Sequence, residues 1–320
     1  MKKLLFALVI AGATQLALAQ EYPSKPVRVI IPFNSGSGLD ILGRILTPKL
    51  NEALRQPVIA DNRAGGAGRI GHEAVAKAAP DGYTLLLTAV GPLIHTPILY
   101  PKNTPFDPIK DFAPISLFVT GPLVIVVHPS IPVKNLKELV EFAKKRPGQL
   151  NFGSTGVGSV NHLLGEMINM FTGTKLVHVP YKGGADALTD LLGGQVEMVM
   201  TGVSPVIPHA KAGKLRVIVT TGKQRIPSMP EVQTMAESGL PQAEIVIWYG
   251  AVAPAATPKN IIGRLNREIV KVMGMPEVRE QYLKQSVVPE TNSPEQFAQL
   301  VRDEFARWTK VVRATGINPE

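Results

Sequence analysis

A short β-type run, a loop of glycine and serine, and a helix with one apolar face follow one another from Val27 onward, and this order recurs along most of the chain. Strands that alternate with helices pair in parallel and need those helices to cover the sheet, so the alternation predicts an α/β fold. The first unit is a strand at 27–31, a loop at 33–38, and a helical stripe of Leu39, Leu42, Ile45, Leu46, Leu50 and Leu54. Pro48 falls inside that stripe, where its missing amide hydrogen and its clash one turn back predict a kink or a helix boundary near Leu46. A second unit runs from strand 57–60 through a glycine-rich loop at 64–71 and a helix ending near Ala79 to strand 83–88.

Residues 118–127 are almost continuously apolar, which suits a strand buried on both faces and passing between two lobes. Asn135 with Glu138 forms a capping box, and Arg146-Pro147-Gly148 stops the helix that it opens. The alternation then resumes with strand 150–153, loop 154–159, helix 160–171, strand 176–179, helix 183–192, strand 196–200 and strand 215–220. Residues 245–252 read as the return crossover. Beyond them Thr257 is expected to cap a helix reaching Met273, with Pro258 in its first turn, and Ser293 opens another whose stripe includes Phe297, Val301, Phe305 and Trp308. Both C-terminal helices are expected to pack back on the first lobe.

The N-terminal nineteen residues have the basic start Lys2-Lys3, the apolar run 4–10 and the small-residue end Ala17-Leu18-Ala19 of a secretory signal, so cleavage is expected after Ala19 and export to the periplasm follows. Of the 320 residues, 301 would then remain, above the size at which one hydrophobic core stops growing. Two lobes are therefore expected: 20–121 with 249–320 as lobe 1, and 122–248 as lobe 2, joined by crossover strands with a ligand cleft between them. The chain has no cysteine, which excludes thiol nucleophiles, Cys-based metal sites and disulfides. Its formal charge of +9 falls to +7 without Lys2 and Lys3, and the basic residues are scattered, unlike the clustered patch of a nucleic-acid binder.

Two of the loops, Phe33-Asn34-Ser35-Gly36-Ser37-Gly38 and Gly153-Ser154-Thr155-Gly156-Val157-Gly158-Ser159, each join a strand to a helix. A helix start offers unpaired amides and about half a positive charge, and glycine lets a ligand come close to them. One such loop in each lobe, at the carboxyl ends of strands, can grip one anion from both sides. Gly66-Ala67-Gly68-Arg69-Ile70-Gly71 satisfies the dinucleotide pattern G-x-G-x-x-G, but the next strand ends at Thr88-Ala89-Val90-Gly91 without the acidic residue that would hold a ribose. No G-x-S-x-G or H-E-x-x-H motif is present, and the six histidines lack metal-ligand spacing, so no cofactor, metal or catalytic residue is expected. His162, one turn into the helix behind the second loop, either reaches the anion or braces the loop.

These residues resemble the Bug-type extracytoplasmic solute receptors of tripartite tricarboxylate transporters. The resemblance covers nearly the whole mature chain. It is carried by Tyr22-Pro23-Ser24-Lys25-Pro26, Pro32-Phe33 with Asp40 and Arg44, Asp61-Asn62-Arg63-Ala64-Gly65, Pro80-Asp81-Gly82-Tyr83-Thr84, Val179-Pro180-Tyr181-Lys182-Gly183, Gly193-Gly194-Gln195-Val196 and Trp248-Tyr249-Gly250. It implies a type II periplasmic binding protein whose lobes close on a small carboxylate, and a binding rather than an enzymatic role. For lobe 1 it implies ligand contacts from Phe33, Asn34, Ser35, Gly36, Ser37 and Gly38, with Thr88 and Ala89 as floor. For lobe 2 it implies Ser154, Thr155, Gly158, Ser159 and His162, with Lys182 and Gly183 nearby and Trp248 as the hinge-side wall.

Thr201 stands where amino-acid-binding members often carry an aspartate. A neutral hydroxyl leaves a buried ammonium without a partner, which is costly, so a carboxylate lacking an amine, such as a dicarboxylate or an aromatic acid, is the expected ligand. The implied partners are the membrane permease subunits of a transporter, with the receptor itself a monomer. A membrane sensor kinase is an alternative partner for the same clamshell. A secreted enzyme on this scaffold is the third reading, and no pair of groups with acid-base spacing supports it.

Overall fold

The computed structural model describes residues 22–315; the expected signal segment and its cleavage after Ala19 lie outside them. In chain order the elements are β1 (Val27–Ile31), α1 (Gly38–Leu54), β2 (Val58–Asn62), α2 (Arg69–Ala76), β3 (Thr84–Ala89), α3 (Thr96–Leu99), β4 (Phe112–Val127), α4 (Leu136–Lys144), β5 (Asn151–Ser154), α5 (Val160–Thr172), β6 (Val177–Pro180), α6 (Gly184–Leu192) and β7 (Met198–Gly202). They continue with α7 (Ile207–Lys211), β8 (Arg216–Thr220), β9 (Val246–Pro254), α8 (Lys259–Met273), α9 (Pro276–Lys284), β10 (Val288–Pro289) and α10 (Pro294–Thr315).

One strand belongs to two sheets. Over Phe112 to Pro122, β4 runs antiparallel to β9 and completes a first sheet in the order β2-β1-β3-β9-β4-β10. From Leu123 to Val127 the same strand lies between β7 and β8 in a second sheet, β8-β4-β7-β5-β6. Leu123 to Val127 are all at most 1% exposed, which explains why this stretch shows no polar alternation. On the way back, Val246, Ile247 and Trp248 pair with Pro122, Gly121 and Thr120, so the chain has rejoined the first sheet before position 248, earlier than the sequence division at 248/249. Within each sheet β1, β2 and β3, and likewise β5, β6 and β7, are parallel and connected through helices.

Helix α1 continues through Pro48, so of the kink or boundary expected near Leu46 the boundary does not occur. The lost hydrogen bond and ring clash cost about 3 kcal/mol. Leu39, Leu42, Leu46, Leu50 and Leu54 are all buried on its core face, each contributing roughly 1.5–3 kcal/mol, and that burial prevails. Thr257 does not cap α8: Pro258 holds the N-cap position, and the Thr257 hydroxyl is buried without a hydrogen-bond partner while its amide closes a turn onto the Pro254 carbonyl. Ser293 does cap α10, accepting from the Gln296 amide at 3.2 Å. The C-terminal helices cover the first lobe, where the Tyr282 hydroxyl of α9 donates to the Leu42 carbonyl of α1 at 3.0 Å.

Helix α10 is seated through Phe297, which lies against Gly250 of β9; a Cβ on that glycine would fall 2.3 Å from the Phe297 ring. Gly250→Ala is therefore expected to destabilise the protein by about 1–3 kcal/mol in urea unfolding. In a Phe297→Leu background the same substitution should cost less than half as much, and equal costs in the two backgrounds would show that the ring does not set this spacing.

Candidate functional site

The loop after β1 is fixed by its own sequence. Ser37, extended at φ −67 and ψ 160, is the N-cap of α1 and accepts from the Asp40 amide at 3.3 Å. The buried Asp40 carboxylate accepts from the Gly36 amide (2.8 Å), Arg44 Nε (2.9 Å) and Asn62 Nδ2 (2.9 Å), and Asn62 also donates to the Phe33 carbonyl. Burial by itself would raise the Asp40 pKa, but the hydrogen bonds from Arg44, Gly36 and Asn62 and the charge of Arg44 outweigh it and hold the group below the usual carboxylate range. Gly36 has φ +81, a conformation that glycine adopts without strain.

The loop after β5 repeats the device. Ser159, at φ −67 and ψ 158, caps α5 by accepting from the His162 amide at 3.3 Å. His162 Nδ1 accepts from the Gly158 amide at 3.1 Å, so the ring braces the loop. It stacks on His178 with centroids 3.8 Å apart, and His178 Nε2 lies 2.6 Å from the Ser154 hydroxyl, which in turn ties to both backbone groups of Gly156. Burial first, then the neighbouring His162, lowers the His178 pKa to about 4. A third helix start, that of α6, has Gly183 as an N-cap that supplies no side-chain bond to its amides.

These three starts converge on a partly open cavity between the sheets. Ser37 and Gly38 of the first loop line it, with Thr155 and Ser159 of the second, Gly184 of α6, and Thr201 and Gly202 at the end of β7. Phe33, Leu39, Ala89, Pro92, Leu123 and Ile247 supply apolar walls. None of its lining residues is Lys, Arg, His, Asp or Glu. The first amides of a helix have no partner inside it, so the cavity presents neutral donors and the positive ends of three dipoles.

Of the residues singled out in the sequence, Phe33, Ser37, Gly38, Ala89, Thr155, Ser159 and Thr201 share this cavity. Ser35 and Gly36 bond Asp40 behind it. Asn34 Nδ2 instead reaches across to Asp186 of α6 at 2.6 Å, and Gly183 packs against Asn34, so these two residues join the lobes. Thr88 is wholly buried behind the floor on His72 Nε2 at 2.7 Å. The other His72 nitrogen meets the Gly68 carbonyl at 2.8 Å, which assigns the proton to Nδ1, and burial lowers the pKa to about 4, so this neutral ring ties the G-x-G-x-x-G-like loop to β3. Ser154 and Gly158 belong to the second loop but do not line the cavity and bond His178 and His162 behind it, and exposed Lys182 lines an open groove outside the cavity with Arg69 and Tyr100.

Trp248 is a correction. Side chains alternate along β9, so Trp248 points away and packs edge-on against Phe297 at 5.4 Å, while Ile247 and Tyr249 line the cavity. Sequence reading also missed Asn161, whose side chain accepts from Thr155 Oγ1 at 3.0 Å and donates to the Met200 carbonyl at 2.6 Å. Its place in the first turn behind Ser159 was the only available signal.

A model described as the tripartite tricarboxylate transporter family receptor matches residues 42–317. Protein BugT of Bordetella pertussis is 36% identical over 306 residues, covering 96% of this chain and 94% of its own. Among solved structures, an R. palustris protein with adipate superposes with a TM-score of 0.90 at 32% identity, covering 94% of this chain and 100% of that one. MatC from Rhodopseudomonas palustris with bound malate does so at 0.86 and 30%, covering 91% and 100%.

Asp40→Asn should loosen the first loop and lower stability by about 1–3 kcal/mol at pH 7. Because the folded pKa is depressed, the native Asp40 contribution is present above the unfolded value near 3.9 and fades below it, so the two proteins should converge in urea unfolding as pH falls under about 4. His178, whose folded pKa is also depressed but whose charged form is the protonated one, acts higher. Stability should drop as pH falls from about 6.5 toward 4, and His178→Gln should make that drop shallower; an unchanged slope would remove this half-buried ring from the account.

Proposed function

The chain belongs to the tripartite tricarboxylate transporter receptor family, and from that premise we propose that it is a periplasmic receptor that closes on a small carboxylate without an amine and passes it unaltered to membrane permease subunits. The observation that carries this reading is a cleft between the sheets lined by helix starts and hydroxyls, with no charged side chain among its described lining residues. An anion there is neutralised by amide donors that need no counter-ion, which suits capture and release better than a buried ion pair. Relatives solved with adipate and malate support the class of ligand.

Thr201 carries the exclusion of amines. It is 3% exposed and faces the cavity, and no carboxylate stands there to meet an ammonium group. Asn34 and Asp186, bonded across the cleft, support a clamshell that is shut around its guest. A signal-type N-terminus supports the periplasmic location, and a monomer is the state in which the receptor would meet its permease.

Calorimetry on the mature protein, freed of co-purified ligand by unfolding and refolding, tests this. Succinate, malate, adipate and benzoate should be screened beside aspartate and glutamate, and at least one amine-free acid should bind roughly 100-fold more tightly than its amino counterpart. Tighter binding of aspartate than succinate, or no binding of any acid at millimolar concentration, would overturn the proposal.

A further inference from the structure

Tyr249 and Thr201 are cavity residues whose hydroxyls make no hydrogen bond to the described residues, and of the two Tyr249 reaches further from its own backbone. Tyr249 is 6% exposed, its ring packs near Phe118, and its hydroxyl makes no hydrogen bond to the described residues although it lies in the cavity wall. The oxygen is not sealed in the core but opens on the cavity, so its donor is free for whatever occupies the cavity. Burial pushes the phenol pKa well above its ordinary value, which keeps the proton on the oxygen as a donor.

The surroundings of that oxygen define a corner. A Cβ built on Gly202 would lie 3.3 Å from it and one on Gly38 would lie 3.8 Å from it, so it sits between the end of β7 and the start of α1. Thr201, next to Gly202, has its hydroxyl 3.4 Å from the equivalent point on Gly184, the first residue of α6. That hydroxyl also has no partner among the described residues and lines the cavity. Two free hydroxyls thus meet two helix starts from opposite lobes. The start of α5 lies elsewhere on the wall, beside the turn at Gly91, whose Cβ position is 3.4 Å from the Val160 amide.

We propose that Tyr249 is the specificity-determining residue of this receptor, donating its phenolic hydrogen to a second oxygen-bearing group of an acid whose first carboxylate lies at the start of α5. The inference rests on the carboxylate-receptor reading and narrows it: the preferred guest is an acid with an acceptor at both ends, and an aromatic monoacid would leave the Tyr249 and Thr201 hydroxyls unpaired. Glycine at 202 fits this role, since a side chain there would press on the phenolic oxygen.

The test titrates succinate, glutarate and adipate, with butyrate, pentanoate and hexanoate as single-ended controls of matching length, into the wild type and into Tyr249→Phe. A bond to a charged acceptor predicts that the best diacid loses roughly 10- to 100-fold in affinity on Tyr249→Phe, while its monoacid control changes less than about threefold. Because the hydroxyl has no protein partner, the ligand-free variant should melt at or above the wild-type temperature. A variant that binds the diacid as well as the wild type, loses both acids equally, or melts several degrees lower would each overturn the assignment. Failure of the wild type to bind any of the six acids would instead overturn the receptor reading, and this inference with it.

Discussion

Amides in the first turn of a helix have no partner within the helix, and this protein turns three such starts toward one cavity between its sheets. A sheet can satisfy its own backbone; a helix start cannot. Something with lone pairs must meet those amides whenever the lobes are shut, and an anion meets them best because the dipoles add their partial charge to the hydrogen bonds. The rest of the molecule serves to hold these starts in register, on a scaffold where β4 runs unbroken from one sheet into the other.

The charged and titratable groups that support the site stand one layer back from it. Asp40 collects four donors and fixes the first loop, His162 and His178 stack to brace the second, and His72 pins the loop before α2 to Thr88. This arrangement keeps fixed charge out of the cavity while making its shape stiff. Hydroxyls of Ser37 and Ser159 are already engaged as caps, whereas those of Thr201 and Tyr249 have no hydrogen-bond partner among the described residues.

Local chemistry made the two glycine-serine loops and their helices legible in the sequence, because a serine cap, a glycine at positive φ and an apolar stripe are properties of a few adjacent residues. The capping box at Asn135 and the long buried run ending at Val127 were legible for the same reason. Pro48 does not end α1, because the local cost of proline is outweighed by five buried leucines packed on elements far away in the chain. Thr257 looked like a cap, but the turn that actually forms places the helix start one residue later.

The sequence by itself determined that two α/β lobes would present amide-rich loops at helix starts, since periodicity, capping and turn preference act over a single turn or strand. Tertiary structure alone decided which side chains those loops share a cavity with. In β9 a shift of one residue exchanges the two faces, so whether Trp248 or Tyr249 lines the cavity depends on pairing with β3 and β4, more than a hundred residues away in the chain. Asn34 likewise found Asp186 only because folding brought together positions separated by 152 residues, a distance over which no local preference can act.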